Sequence, residues 1–235
     1  MHLEAEPITL NLETPFRIAH GTSLARHNVL VRIGDGEHEG LGEAAPVRQH
    51  HETQAGVLAY LASLPTLSED PFHLEELLAA LPSGSQSARA AIDIALHDLL
   101  GKRLGIPLYR LFGLNPESSP PTSMTISIGT TTEVQGWARD AAKHFSILKL
   151  KLGQEHSLEI VRAVRAATDA RLVADANCAW TVEQALSLIP ALADLGLEWI
   201  EQPLPEEDLD GLRQIREASP LPIFADEPVR TARDI

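Results

Sequence analysis

Arg171-Leu172-Val173-Ala174-Asp175 is a short apolar run closed by an acid, and two more runs of the same kind follow it. They are Leu197-Glu198-Trp199-Ile200-Glu201 and Leu221-Pro222-Ile223-Phe224-Ala225-Asp226. A fourth, Ile147-Leu148-Lys149-Leu150-Lys151, precedes them and ends in lysine. The closing residues stand at 151, 175, 201 and 226, so the intervals are 24, 26 and 25 residues. That is the length of one strand, one helix and two short loops. Parallel strands buried on both faces read as short apolar runs. In a (β/α)₈ barrel the C-terminal strand ends carry the chemistry. The pattern therefore predicts an α/β barrel with two lysines and three carboxylates meeting at one end.

Working outward, the same βα rhythm covers the chain from about residue 119. Strands are predicted at 124–128, 147–151, 172–175, 198–201 and 222–226. Helices are predicted at 132–144, 158–167, 182–195 and 206–218, with Pro190 expected to kink or split the third, because proline removes an intrahelical hydrogen bond. Thr231 reads as the cap of a further helix. A closed barrel has eight strands, and only about five are present. Two readings account for this: the chain is part of a longer one, which is favoured, or a second copy closes the barrel in a homo-oligomer. Asn115-Pro116-Glu117-Ser118-Ser119-Pro120-Pro121 reads as a boundary. Residues 1–118 are then an α+β capping domain and 119–235 an incomplete (β/α) barrel domain.

The first third has a different pattern. Residues 8–12 and 28–33 read as strands, and Gly34-Asp35-Gly36-Glu37 as a hairpin turn, since Asp-Gly supplies the positive φ a tight turn needs. Glu39-Gly40-Leu41-Gly42-Glu43 returns as a third strand. Helices follow at 52–63, 74–81 and 87–100. His20-Gly21-Thr22-Ser23 reads as a flexible polar loop between the first two strands, either a plain connection or a lid. His50-His51-Glu52 superficially suggests a metal cluster, but adjacent side chains diverge, and a polar loop entering a helix is the better reading.

Bulk properties narrow the function. The chain has 235 residues, 44% of them hydrophobic, which is enough for a sizeable core. A net charge of −14 argues against nucleic acid or an anionic membrane as partner. The single cysteine, Cys178, excludes an internal disulfide framework and fits a reducing compartment. Met1-His2-Leu3-Glu4-Ala5-Glu6 lacks the basic and apolar regions of a signal peptide, and no apolar stretch is long enough to span a bilayer. A soluble cytoplasmic protein is expected.

The chemistry follows from the strand ends. Lys149 and Lys151 are two apart on a strand and share a face, while Leu148, Leu150 and Leu152 point to the other. Neighbouring positive charge and partial burial both lower a lysine pKa, which suits a general base. Taken singly, Asp175, Glu201 and Asp226 are more often helix caps or solvated loop acids. Together, each closing its own strand, they repel unless a cation holds them, and all-oxygen ligation selects Mg²⁺ first and Mn²⁺ second. Asn177 shares the face of Asp175 and is expected to support the ligands. Glu227 adjoins Asp226 but points the other way, and is expected to pair with a lysine. Cys178 is assigned a packing role.

With these residues the chain resembles the enolase superfamily in its muconate-lactonizing branch. The matching stretches are Lys149-Leu150-Lys151, Asp175-Ala176-Asn177, Glu201-Gln202-Pro203 and Ala225-Asp226-Glu227, together with the helix from Ser87 through Asp98. Asp175-Ala176-Asn177 followed by Trp180 is most similar to the dipeptide epimerases. The resemblance implies a capping domain over a modified barrel. It implies Mg²⁺ on a small-molecule carboxylate substrate, and removal of the α-proton to leave an enediolate, a base-plus-metal pairing general to the superfamily rather than read from spacing. It also implies Lys151 as acid/base, Lys149 as the group that tunes it, and Thr125 in contact with substrate. His20, Gly21, Thr22 and Ser23, with the stretch near His50, would close over the substrate. The family's second lysine, on the sixth strand, and its ammonium-binding acids, on the eighth, lie beyond Ile235. The loop at 20–23 carries no arginine, so the resemblance does not extend to a preference for acidic side chains. The expected activity is epimerisation of a dipeptide or N-acyl amino acid. The rivals are an o-succinylbenzoate synthase or cycloisomerase of the same branch, and a non-catalytic, truncated metal-binding remnant.

Overall fold

The structure, a computed structural model, describes residues 1–67 and 70–235, and at Gln49 the backbone alone. The chain forms two units, one of Met1–Glu13 with Ala25–Ser119 and one of Thr14–Leu24 with Pro120–Ile235.

The first unit is built on an antiparallel sheet ordered β1 (His2–Ile18), β2 (Gly21–Gly34), β3 (Glu39–Ala44). Val29, Val31 and Ile33 alternate along β2 and are fully buried, which is the period-2 pattern of a sheet with one face in the core. The turn at Asp35–Gly36 forms as its sequence demands. Gly36 has φ +97°, and the Asp35 carboxylate accepts the Glu37 and His38 backbone N–H groups at 2.9 and 2.8 Å. Helices α1 (Gln54–Ala62), α2 (Leu74–Ala80), α3 (Gln86–Leu104) and the short α4 (Leu108–Leu111) follow. Helix α3 runs past Gly101 and ends at Gly105, which takes the left-handed conformation. Its Ala91 and Ala95 face β3, where Gly40 and Gly42 let the two backbones touch. A Cβ at either glycine would collide with α3 backbone.

The second unit is a parallel sheet ordered β4 (Ser123–Ile126), β5 (Ile147–Lys151), β6 (Arg171–Asp175), β7 (Leu197–Glu201), β8 (Ile223–Phe224). Helices α5 (Thr131–Ala141), α6 (Ser157–Arg165), α7 (Val182–Asp194) and α8 (Leu209–Ala218) alternate with the strands. Thr130 with Glu133, and Thr181 with Gln184, form capping boxes at the starts of α5 and α7, satisfying N–H groups that have no partner inside the helix. The core is Leu148 and Leu150 of β5 with Leu152 just beyond it, Leu172 and Ala174 of β6, Ile200 of β7, and the apolar faces of the helices.

Two local expectations are corrected. Helix α7 is not split: it runs unbroken through Pro190. Strand β8 is shorter than 222–226, because the Asp226 N–H is taken by the Gln202 side chain at 3.0 Å instead of by a strand partner. Thr231 Oγ1 accepts the Arg233 N–H at 3.2 Å and the Thr231 N–H donates to the Asp234 carboxylate at 2.6 Å, the reciprocal bonding of a cap. Among the described residues no helix is long and apolar enough to cross a membrane.

Candidate active site

Parallel register sets out the site one strand at a time. Thr125 pairs with Lys149, Lys151 with Asp175, and Asp175 with Glu201. Register partners in a parallel sheet project to the same face. Leu148 and Leu150 fill the opposite, helix-covered face, so Lys149 and Lys151 are turned toward the acids. The Lys149 Nζ donates to both Glu201 oxygens at 2.8 Å and lies 3.1 Å from Asp175 Oδ2. The Lys151 Nζ donates to Asp175 Oδ2 at 2.6 Å and to Asn177 Oδ1 at 2.9 Å. Asp175 is 1% exposed in its side chain, Lys151 12% and Lys149 20%. Both ammonium groups thus converge on one buried carboxylate oxygen.

The loops after β6 and β7 are bent to make this possible. Asn177, Cys178 and Gln202 have φ of +44°, +62° and +34°, a left-handed region that costs side-chain-bearing residues of order 1 kcal/mol or more each. The turn after β6 is held by the Asn177 N–H donating to Asp175 Oδ1 at 2.9 Å. The Cys178 N–H donates to Gln202 O at 2.8 Å. Gln202 is fully buried and is a positioning residue that spacing did not reveal. Its Nε2 donates to Leu204 O at 2.8 Å, and its Oε1 accepts from the Asp226 N–H. Trp180, also buried, donates from Nε1 to Gly153 O at 2.8 Å, tying the same loop to the end of β5.

Electrostatics differ from the expectation at one lysine. Burial pulls the Lys149 ammonium down, but hydrogen bonds and charge from Glu201 and Asp175 outweigh it, and its pKa is raised. The Glu201 carboxyl is also raised. Burial is the largest cause, followed by Lys149 acting the other way and by repulsion from Asp175 and Asp226. Asp175 and Asp226 thus each repel Glu201, but the three acids do not form a gathered ligand group among the described residues, and a hard divalent cation would have to draw Asp226 in. The ligands would be Asp175, Glu201 and Asp226, with all-oxygen chemistry matching Mg²⁺. Burial first, and then the Glu227 charge, push the Cys178 thiol up to about 12, which removes it as a nucleophile.

The structure brings Lys149, Lys151, Asp175, Asn177 and Glu201 into one hydrogen-bonded cluster, with Thr125 half-buried beside Lys149. Asp226 is exposed two residues beyond β8, outside this cluster. Glu227 is not lysine-bonded as expected: its Oε1 accepts from Asn177 Nδ2 at 3.4 Å, and its buried Oε2 has no hydrogen-bond partner. The supposed loop at 20–23 is a tight turn, with Gly21, Thr22 and Ser23 already in β2. Its base is anchored by Arg17, whose N–H donates to Ser127 Oγ at 2.6 Å and whose carbonyl accepts from the Ile128 N–H at 3.0 Å. His20, exposed in this turn, groups with Cys178 and Glu227. His50 lies in the other unit, exposed on a 3₁₀ turn at Arg48–His50.

The chain matches known domain families over most of its length. The N-terminal domain of mandelate racemase / muconate lactonizing enzyme matches residues 5–113, and the enolase C-terminal domain-like family matches residues 133–235. The chain belongs to the mandelate racemase / muconate lactonizing branch of the enolase superfamily. Within that branch it is similar to an L-Ala-D/L-Glu epimerase of Bacteroides thetaiotaomicron, 40% identical over 97% of this chain and 61% of the relative. An L-Ala-D/L-Glu epimerase of Escherichia coli is 35% identical over 95% of this chain and 69% of the relative. Among solved structures, a dipeptide epimerase of Enterococcus faecalis, complexed with Mg and L-Leu-L-Tyr, superposes with a TM-score of 0.89 at 32% identity. That likeness covers 99% of this chain and 69% of that one. The chain thus spans about two thirds of the length of these relatives.

Proposed function

We propose that the protein is an epimerase of dipeptides or related N-acyl amino acids, working with Mg²⁺. The observation that carries this reading is the convergence of Lys149 and Lys151 on Asp175, next to Glu201, in a branch whose relatives include dipeptide epimerases. Asp175, Glu201 and Asp226 would hold the ion. Bound there, Mg²⁺ supplies positive charge to the substrate carboxylate, where negative charge develops as the α-proton leaves.

The remaining steps belong to the chain's own residues. Lys151 removes or returns the α-proton at Nζ on its own face, and inversion needs a second donor on the opposite face, which the resemblance places on the sixth strand beyond Ile235. Asn177 Oδ1, already bonded to that nitrogen at 2.9 Å, orients it. When Asp175 and Glu201 serve as ligands, their hold on the two lysines weakens. Lys149 stays beside Lys151 as a positive charge on the same face. Thr125, on the neighbouring strand, borders the substrate. Helix-side packing by Leu148, Leu150 and Leu152 keeps both lysines on the reacting face.

The test is exchange of the α-proton in D₂O with Mg²⁺ and a panel of dipeptides, on a chain extended to the relatives' full length. The expected result is deuterium at the α-carbon of an epimerised product with its skeleton intact. Absence of exchange with every dipeptide, or a dehydrated or ring-closed product, counts against epimerisation.

A further inference from the structure

We propose that His20, Cys178 and Glu227 form a separate cation site that takes Zn²⁺, or a similar ion of borderline softness, and fastens the β1–β2 hairpin tip to the strand ends. One imidazole nitrogen, the thiol sulfur and one carboxylate oxygen lie within 4.8 Å of one another. Ligands on a tetrahedral zinc ion, bound at about 2.0–2.3 Å, stand roughly 3.5 Å apart. Closure around an ion therefore asks only for small movements of side-chain tips.

Each ligand comes from a different, independently held segment. His20 sits three residues beyond Arg17, whose backbone is bonded on both sides to the end of β4. The Cys178 backbone is fixed in the left-handed region by its bond to Gln202 O. Glu227 is held through Oε1 by Asn177.

The second observation is the Glu227 carboxylate itself. Its Oε2 is buried and has no hydrogen-bond partner. A buried acceptor left unmatched is destabilising, and a cation between the three groups satisfies it. A sulfur, nitrogen and oxygen donor set favours Zn²⁺ or Co²⁺ over Mg²⁺. Three protein ligands leave a fourth position for water, as in zinc sites that are not closed by protein. Binding converts the thiol to a thiolate, and the displaced proton goes to solvent. The consequence is a latch: zinc ties the hairpin tip to the segments carrying Asn177 and Asp226. This site rests on its own three residues and stands whether or not the protein is an epimerase.

The test is titration of the 235-residue chain with Co²⁺ in excess Mg²⁺, read by absorption. A saturable thiolate-to-cobalt charge-transfer band at one equivalent, bleached by Zn²⁺, is expected. His20→Ala, at an exposed turn, should weaken Co²⁺ binding by about tenfold or more, since loss of even an outer-shell partner costs 10–100-fold. Cys178→Ser should abolish the band, and His144→Ala should leave it unchanged. No band, a band insensitive to His20→Ala, or a band removed by Mg²⁺ would overturn the proposal. Should Cys178→Ser fail to fold, the His20→Ala result decides alone.

Discussion

Asp175→Asn tests the charged cluster with the least change in shape. The two oxygens of Asp175 have separate partners: Oδ1 accepts from the Asn177 N–H at 2.9 Å, and Oδ2 accepts from Lys151 at 2.6 Å and lies 3.1 Å from Lys149. Asparagine has only one oxygen. Either the Asn177 N–H or the pair of ammonium groups must then face an NH₂, and both lysines lose the nearest negative charge. Removing one partner of a buried ion pair costs about 3–5 kcal/mol. Lys149 keeps Glu201 and Lys151 keeps Asn177, so the lower end applies, about 3 kcal/mol. At about 2–4 °C per kcal/mol for a chain of this size, Tm falls by about 6–12 °C. Tryptophan fluorescence during urea unfolding is the suitable readout, because Trp137, Trp180 and Trp199 all lie in the second unit. A loss under about 1 kcal/mol, the range of an exposed pair, would refute the idea that Asp175 anchors both lysines.

Two further outcomes follow from the geometry. The Glu201 carboxyl titrates above its ordinary value, first because of burial and then through repulsion by Asp175 and Asp226. Its contribution to stability is therefore full below the unfolded pKa and is lost as pH rises through the raised folded value. Asp226→Asn should move the Glu201 titration, followed by carboxyl ¹³C NMR, toward lower pH; an unmoved titration would show that the two acids do not interact. In the first unit, Gly42→Ala places a Cβ against the Ala91 carbonyl of α3. It should destabilise the β3–α3 packing by about 1–3 kcal/mol, the range for overpacking, seen as a lower urea midpoint by circular dichroism; an unchanged midpoint would contradict that close approach.

The strand ends were legible because each apolar run is short, buried and closed by a charged residue. The pair Lys149 and Lys151 was legible because period 2 fixes which residues share a face. The hairpin tip was not. Residues 15–18 of β1 are all half-buried without alternation, so the approach to the tip lacks the period-2 mark of a strand, and Gly21-Thr22-Ser23 reads as loop. Strand β8 was overextended because apolar content does not reveal that Gln202 intercepts the Asp226 N–H. The role of Gln202 itself depends on contacts two dozen residues away, which spacing cannot show. The direction of the Lys149 shift was misjudged for a related reason. Sequence supplies the neighbouring lysine and the burial, but the outcome depends on how closely Glu201 and Asp175 approach it. The grouping of His20 with Cys178 and Glu227 joins three distant segments, and local pattern offers no sign of it.

The account depends on Asp175, Glu201 and Asp226 taking a hard divalent ion on the face that carries Lys151. A crystal of the protein grown with Mn²⁺ and measured for anomalous scattering tests this most directly. The predicted result is one strong peak bonded to an oxygen of each of the three acids, with Lys151 Nζ on the same side. A peak bonded to none of them, or no peak at saturating Mn²⁺, would contradict it.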